Sequence, residues 1–527
     1  MKRCPECRRD YYDDSLLYCL DDGSALLEGP ISEEERTTAI LPGVPGRRSQ
    51  RSDKGESDTR ANSIAVLPFA NVSADSENDY FCDGLAEELL NALAKIEGLR
   101  VAARTSAFSF KGKNVEMGQI ASALRVKTVL EGSVRKSGNR LRITAQLVNA
   151  ADGFQMWSES YDRELSDIFD VQQEITLAIV DSLKLKLLGD GRADLLKRYT
   201  ANAEAYSLYL RGRFFWNKRT EEDANRGIEC FQRAVSLDPE FALAYNGLAD
   251  CQILLGDVGV QALSPKEAFV AGRNSAARAL ELDETLAEAH GTMGHVCMHL
   301  FDWRRAILEF ERALELDPDC AQVLYYAYYL AFNGHFDESI EVIERALQFD
   351  PLSLPLNRSA AELLYFAGRY DESISRFEKS IEMEEHPIAH MELARVYEHV
   401  GNYEEAKAGF AKARDLSHDS PESLASLAHC HAVSGSADEA RSLLNKLHEM
   451  KQERYVSSYD LALVNTALDE RGEAFRWLDR AYEINDGWLV YITVDPRWEP
   501  MYSDPRFADI VDRVGLPKPA AVTRVPI

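Results

Sequence analysis

The sequence predicts a multidomain chain: a small cysteine-knuckle segment, an α/β domain with a mixed sheet, then an all-α superhelix of stacked helical hairpins. Three observations predict it. Two Cys-x-x steps open the chain; strand-length runs alternating with helical spacing fill residues 63–190; and from Ala205 onward small residues return at one phase, at Gly212, Ala249, Gly294, Ala327, Ala361, Ala394, Ala428 and Ala462, a period of about 34 residues.

In chain order, Cys4-Pro5-Glu6-Cys7 holds two thiolates on a tight knuckle. Cys19-Leu20-Asp21-Asp22 repeats the spacing with an aspartate where a second cysteine would stand. Zinc takes four S, N or O donors in a tetrahedron, so Cys4, Cys7, Cys19 and Asp22 are the expected ligands of a structural zinc ion. Residues 1–27 resemble a small zinc ribbon, although the Cys-x-x-Asp-Gly ending departs from a four-cysteine set. So short a segment needs a metal to be ordered; the alternative is a tail with reactive thiols. Residues 28–62 read as a flexible linker, with Gly29-Pro30 and Pro42-Gly43-Val44-Pro45-Gly46 and no apolar period.

In the α/β domain, Ile64–Phe69 is an apolar run of strand length, and 78–96 has Leu85, Leu89, Leu93 and Ile96 at helical spacing. A second strand is expected at 99–103 and a short helix at 116–124. Three strands follow at 127–135, 140–148 and 154–161, with Ser137-Gly138-Asn139 and Ala151-Asp152-Gly153 as turns. Arg140, Arg142, Thr144 and Gln146 alternate with Leu141, Ile143, Ala145 and Leu147, as in a half-buried strand. A last helix spans about 168–187. Ala65-Val66-Leu67-Pro68-Phe69, Tyr80-Phe81, Asp83-Gly84, Arg104-Thr105-Ser106, Glu131-Gly132-Ser133-Val134-Arg135 and Trp157-Ser158-Glu159 with Tyr161-Asp162-Arg163 resemble the amino-terminal domain of TolB and the related FlgO-type domain. That resemblance implies an interaction domain without a catalytic role, which in similar proteins sits between an output module and helical repeats. Arg104, Thr105, Glu131, Arg135 and Asp162 are a candidate polar pocket for a small-molecule ligand; capping of turns and strand ends is the competing reading.

Residues 200–486 are read as about eight repeats, with unit starts at Ala205, Ala242, Ala287, Cys320, Leu354, Pro387, Pro421 and Tyr455. A second small or hydroxyl residue follows twelve positions after the first, as at Ala306, Ser339, Ser373, Ala406, Ala440 and Ala474. Helices cross closely only where side chains are small. With Gly334-His335-Phe336-Asp337, Gly368-Arg369-Tyr370-Asp371 and Gly401-Asn402-Tyr403-Glu404 at the turns, and Leu-Asp-Pro or Phe-Asp-Pro ending at Pro239, Pro318 and Pro351, the pattern resembles the tetratricopeptide repeat. That family stacks into a superhelix whose first helices line a concave groove. Tyr209, Trp216, Asn246, Tyr328, Arg358, Tyr365 and Arg395 fall on this wall as expected exposed contacts for a protein or peptide. Arg358 and Arg395 are the carboxylate anchors, unless each pairs with Glu362 or Glu398 on its own helix. Residues 487–527 are expected to cap the last repeat.

Composition narrows the function. A formal charge of −27 over 527 residues argues against general nucleic-acid binding, which needs cations along the phosphates. No run suffices for a transmembrane span, Met1–Pro5 lacks the apolar core of a secretory signal, and nine mostly scattered cysteines make no disulfide framework, so a cytoplasmic location is expected. No phosphate-loop, nucleophile-elbow or HExxH motif appears. Asp75, Glu77, Asp79 and Asp83 lack the glycine of a calcium loop and read as a solvated turn. His295 and His299 share a helix face and read as a groove-lining pair ahead of a metal site. The expected function is a non-enzymatic adaptor that binds a protein partner; the alternative is a ligand-sensing or transcriptional regulator.

Overall fold

The computed structural model describes residues 62–519 apart from 74–77, 97, 114, 184–198, 258–259, 261, 319 and 321, together with three short strands near the N-terminus. Those strands, β1 (Lys2–Arg3), β2 (Asp10–Tyr11) and β3 (Leu27–Glu28), pair antiparallel in the order β2-β1-β3. They belong to one compact unit, residues 1–59, while 60–527 form a second. The four expected zinc ligands, Cys4, Cys7, Cys19 and Asp22, lie outside the described residues.

In the second unit, β4 (Ser63–Val66), β5 (Ala70–Asn71), β6 (Arg100–Val101), β7 (Thr128–Ser137), β8 (Arg140–Asn149) and β9 (Gln155–Glu164) build one sheet in the order β6-β4-β7-β8-β9, with β5 beside β7. β4 pairs parallel with β6 and β7, β5 pairs parallel with β7, and the β7–β8 and β8–β9 pairs are antiparallel, so the mixed sheet is as expected. On one face α1 (Asp79–Ala94) and α4 (Ile168–Ser182) bring Leu85, Leu89, Ile175 and Ile179 onto Ile143 and Leu147. On the other, α3 (Met117–Leu124) covers Ala65, Leu67 and Val129 with Ile120 and Leu124. Strand β4, covered on both sides, is buried at every residue, while β8 alternates as its sequence does. The one-and-a-half-turn helix α2 (Arg104–Phe108) was not expected.

Among the described residues, sixteen helices then form eight hairpins: α5 (Ala203–Trp216) with α6 (Glu221–Leu237), α7 (Ala242–Gly256) with α8 (Pro265–Leu282), α9 (Ala287–His299) with α10 (Trp303–Leu316), α11 (Val323–Phe332) with α12 (Phe336–Phe349), α13 (Leu354–Phe366) with α14 (Tyr370–Met383), α15 (Pro387–His399) with α16 (Tyr403–Leu416), α17 (Pro421–Val433) with α18 (Ala437–Met450), and α19 (Ser458–Ala467) with α20 (Arg471–Glu483). The small residues do what the period implies. A Cβ on Gly294 would sit 2.7 Å from the Phe310 ring, and one on Gly212 equally close to Phe231. Where the second position is serine, its hydroxyl donates to a carbonyl across the crossing: Ser339 Oγ to Ala327 O and Ser373 Oγ to Ala361 O, both 2.7 Å. A hydroxyl is therefore tolerated at a site too tight for a larger side chain.

The C-terminal segment caps the last repeat, Trp498 Nε1 donating to Tyr459 OH at 2.7 Å. It also reaches back across the superhelix. Trp303 Nε1 donates to Val514 O (2.6 Å), at the end of α21 (Pro505–Val514), and Lys266 N to Ile484 O (3.1 Å). The curved stack thus brings its eighth repeat and tail against its second and third.

Candidate functional site

The candidate site is the inner wall formed by the first helix of each hairpin. It begins where the α/β domain docks. Gly84 of α1 lets that helix meet α5, since a Cβ there would lie 2.8 Å from Leu210. Buried Glu87, one turn on, accepts from Arg104 Nε (2.7 Å) and from Arg213 Nη2 of α5 (2.8 Å). Burial pushes the Glu87 carboxyl up, but the two guanidiniums outweigh it and hold it below the usual range. Arg213 also faces Asp250 of the second repeat at 3.7 Å, and Asp250 accepts from Thr292 of the third at 2.9 Å. Burial raises Asp250 to about 6, against the pull of Arg213.

A second docking point joins α2 to the fourth repeat. Asp350, of the Phe-Asp-Pro motif, accepts from Ser106 N (3.1 Å) and from the hydroxyls of Ser106 and Thr105. Ser106 Oγ accepts in turn from Leu352 N at 2.9 Å.

The expected ligand pocket does not assemble. Arg104 and Thr105 are engaged at these two docking points. Glu131, Arg135 and Asp162 lie on the open face of the sheet, where Glu131 accepts from Gln146, and Asp162 pairs with Arg140 at 2.9 Å; Arg135 is exposed opposite Arg142.

The expected exposed groove is corrected too. Tyr209 is core, packed on Phe241 and Phe231. Asn246 is buried beside Asp250, and Tyr328 is buried with its hydroxyl on Glu362 and Ser359. Tyr365 packs on Phe366, Tyr370 and His399. Arg395, only 5 % exposed, pairs with Glu422 at 3.3 Å and lies 5.0 Å from the Trp488 ring centre. Arg358 pairs with Glu392 of the next repeat, not with Glu362 of its own helix. Trp216, half-buried, sits between the guanidiniums of Arg213 (4.6 Å) and Arg219 (4.1 Å). The wall is covered because the turn Gly487–Tyr491 lies on it: Tyr491 packs on Phe332 (4.7 Å) and Phe366 (5.8 Å), and Thr493 Oγ1 donates to Phe332 O. Five carboxylates gather beneath, at Glu362, Glu392, Glu422, Asp460 and Asp495, with Arg358, Arg395 and Arg497. Burial pushes Glu392 and Asp460 up, while Arg497 overcomes burial to hold Asp495 down.

His295 and His299 are buried within the wall, not exposed on it. His295 stacks on Tyr325 (3.8 Å) and His299 on Phe269 (4.6 Å), and burial lowers both, His299 to about 3, so both imidazoles are neutral. Nothing local in the sequence marks Glu87, Asp350, Asp257, Trp488 or Tyr491 as part of this wall. Asp350 sat in a recognised closing motif, but no local signal tied it to Ser106, 244 residues away.

Comparison with known proteins divides the chain in the same way. Residues 59–178 match the HilA/YgeH-like transcriptional regulator second domain, and 287–320 and 358–421 match tetratricopeptide repeats. "Putative adenylate cyclase 3" of Rhizobium meliloti (strain 1021) is 41 % identical over 190 residues, covering 36 % of this chain and 32 % of that protein. "Transcriptional regulator HilA" of Salmonella typhimurium is 26 % identical over 145 residues, covering 27 % of this chain and 26 % of its own. The chain thus spans a third or less of these curated relatives. Among solved structures, a tetratricopeptide repeat protein from Parabacteroides merdae aligns over 51 % of this chain and 100 % of its own at 16 % identity (TM-score 0.38). YrrB, described as having an unusual peptide-binding site, aligns over 37 % of this chain and 97 % of its own at 23 % identity (TM-score 0.26). The helical half of this chain carries tetratricopeptide repeats, preceded by an α/β domain similar to the second domain of HilA-like regulators.

Proposed function

We propose that the chain is a non-enzymatic protein-interaction scaffold, and that a partner's side chains enter the inner wall where it stays partly open, at Trp216 and Arg358. The observation that carries this reading is the partial exposure of these two residues on a tetratricopeptide wall whose other expected contacts are buried. The guanidiniums of Arg213 and Arg219 over the Trp216 ring, and that of Arg358, suit an acidic segment. No helix among the described residues is long and apolar enough to cross a membrane. The six described cysteines are buried free thiols, which supports the cytoplasmic placement in this reading.

A photo-crosslinking residue at position 216 is expected to capture a partner that one at Leu308, 58 % exposed on α10, does not. Capture at 308 alone sinks the inner-wall reading. A second reading, a sensing or transcriptional regulator, is favoured by the likeness of residues 59–178 to the HilA-type domain. Salt-dependent binding of the full chain to duplex DNA would support it over the first.

A further inference from the structure

We propose that Asp257, His295 and His299 form a binding site for a divalent transition-metal ion of the zinc class, set into the inner wall at the second and third repeats. His295 and His299 stand four apart on α9, so their imidazoles leave the same helix face. This is the spacing at which paired histidines on a helix hold zinc. Asp257, the residue just after α7, brings a carboxylate from the neighbouring repeat, and the three donor atoms lie within 4.8 Å of one another. Zinc bonds of ~2.0–2.2 Å place tetrahedral ligand atoms about 3.4 Å apart, so modest side-chain rotations close the set.

An independent observation points the same way. His299 Nδ1 is buried without a hydrogen-bond partner in the protein, and leaving a buried polar atom unpaired is costly. A metal bond at this ring, or a water held by the metal, would satisfy it. Aromatic neighbours flank both rings. His295 is stacked on Tyr325, His299 on Phe269, and the two imidazoles meet edge to face at 4.8 Å. Asn485 Nδ2 donates to the His299 carbonyl at 3.4 Å, tying the C-terminal segment to the same turn.

The donor chemistry selects the ion. Two imidazoles and one carboxylate suit zinc and its first-row neighbours, whereas calcium and magnesium take oxygen. Arg219 adds positive charge nearby; the Asp257 carboxylate offsets it. Three protein ligands leave a fourth position for water.

The test uses the full chain carrying Cys4→Ser, Cys7→Ser and Cys19→Ser, which removes the N-terminal thiolates as competing ligands. Titration with Co2+ is expected to fill about one site per chain, with visible d–d absorption but no thiolate charge-transfer band, and Zn2+ should displace the cobalt. In that background His299→Gln weakens binding more than about 100-fold, beyond the range of outer-shell changes. Asp257→Asn, a near-isosteric change at a half-buried loop position, does the same and abolishes the Zn2+-induced rise in Tm. The proposal is overturned if the triple-serine chain binds no Co2+, or if Asp257→Asn, folded by circular dichroism, binds it as tightly as its parent.

Discussion

Arg358 pairs with Glu392, 34 residues downstream, and Tyr328 donates to Glu362 across the same interval. The inner wall therefore carries rungs that bond one repeat to the equivalent helix of the next. Breaking one rung removes a charge-assisted hydrogen bond to the buried Glu392 carboxyl, so Arg358→Ala should cost about 1.5–3 kcal/mol in urea unfolding. Arg358→Met with Glu392→Met should recover most of that loss. A double-mutant cycle with no coupling between the two positions would show that the rung contributes nothing.

Glu87 ties Arg104 of its own domain to Arg213 of the first repeat, so Glu87→Gln is expected to destabilise by about 3 kcal/mol at neutral pH. Its folded pKa lies below its ordinary 4.5. The stabilisation is thus complete above that value and is lost as pH falls through the folded pKa. Urea midpoints of parent and variant should converge on acidification below 4.5; a constant gap would refute the assignment.

Removal of the Asp350 carboxylate takes the acceptor from Thr105 and Ser106. Asp350→Ala should cost about 2 kcal/mol, the range for hydrogen bonds to a charged group. Amide exchange in α2 should accelerate while β8 stays protected. Unchanged exchange in α2 would mean that another contact secures this docking point.

Tyr491 fills the space between Phe332 and Phe366. Tyr491→Ala is expected to lose about 3–5 kcal/mol, as for other large aromatic truncations. Limited proteolysis should then cut within 487–502. Continued resistance there would show that the segment is held mainly by its other contacts.

Gly401 turns the sixth hairpin at φ +85°, whereas Gly472 lies in α20 with no heavy atom within 4 Å of an added Cβ. Gly401→Ala should lower stability by about 1–2 kcal/mol, and Gly472→Ala should raise it by roughly 0.5–1 kcal/mol. Thermal melts in which both shift in the same direction would contradict the backbone argument.

The legible features were those made by neighbours in sequence. The hairpins begin within three residues of the positions read from the small-residue phase, because the close crossing of Gly294 under Phe310 is settled within one repeat. Strand β8 was readable from its alternation and β4 from its continuous apolar run. Helix α2 and strand β5 were not, since five and two residues hold no period. The arginine pairing is half legible: the sequence offers Arg358 an acidic partner on its own helix, but the partner comes from the first helix of the next repeat.

Residue order alone determined the local units: which segments coil, where they turn, and which stripe of each first helix faces inward. Whether that stripe meets solvent was settled elsewhere, by Glu87 arriving on Arg213 from 126 residues upstream and Thr493 on Phe332 from 161 downstream. Periodicity reports which side of a helix points to the interior of a repeat stack. It holds no record of what a distant part of the chain will place there, because that depends on the accumulated curvature of the whole superhelix.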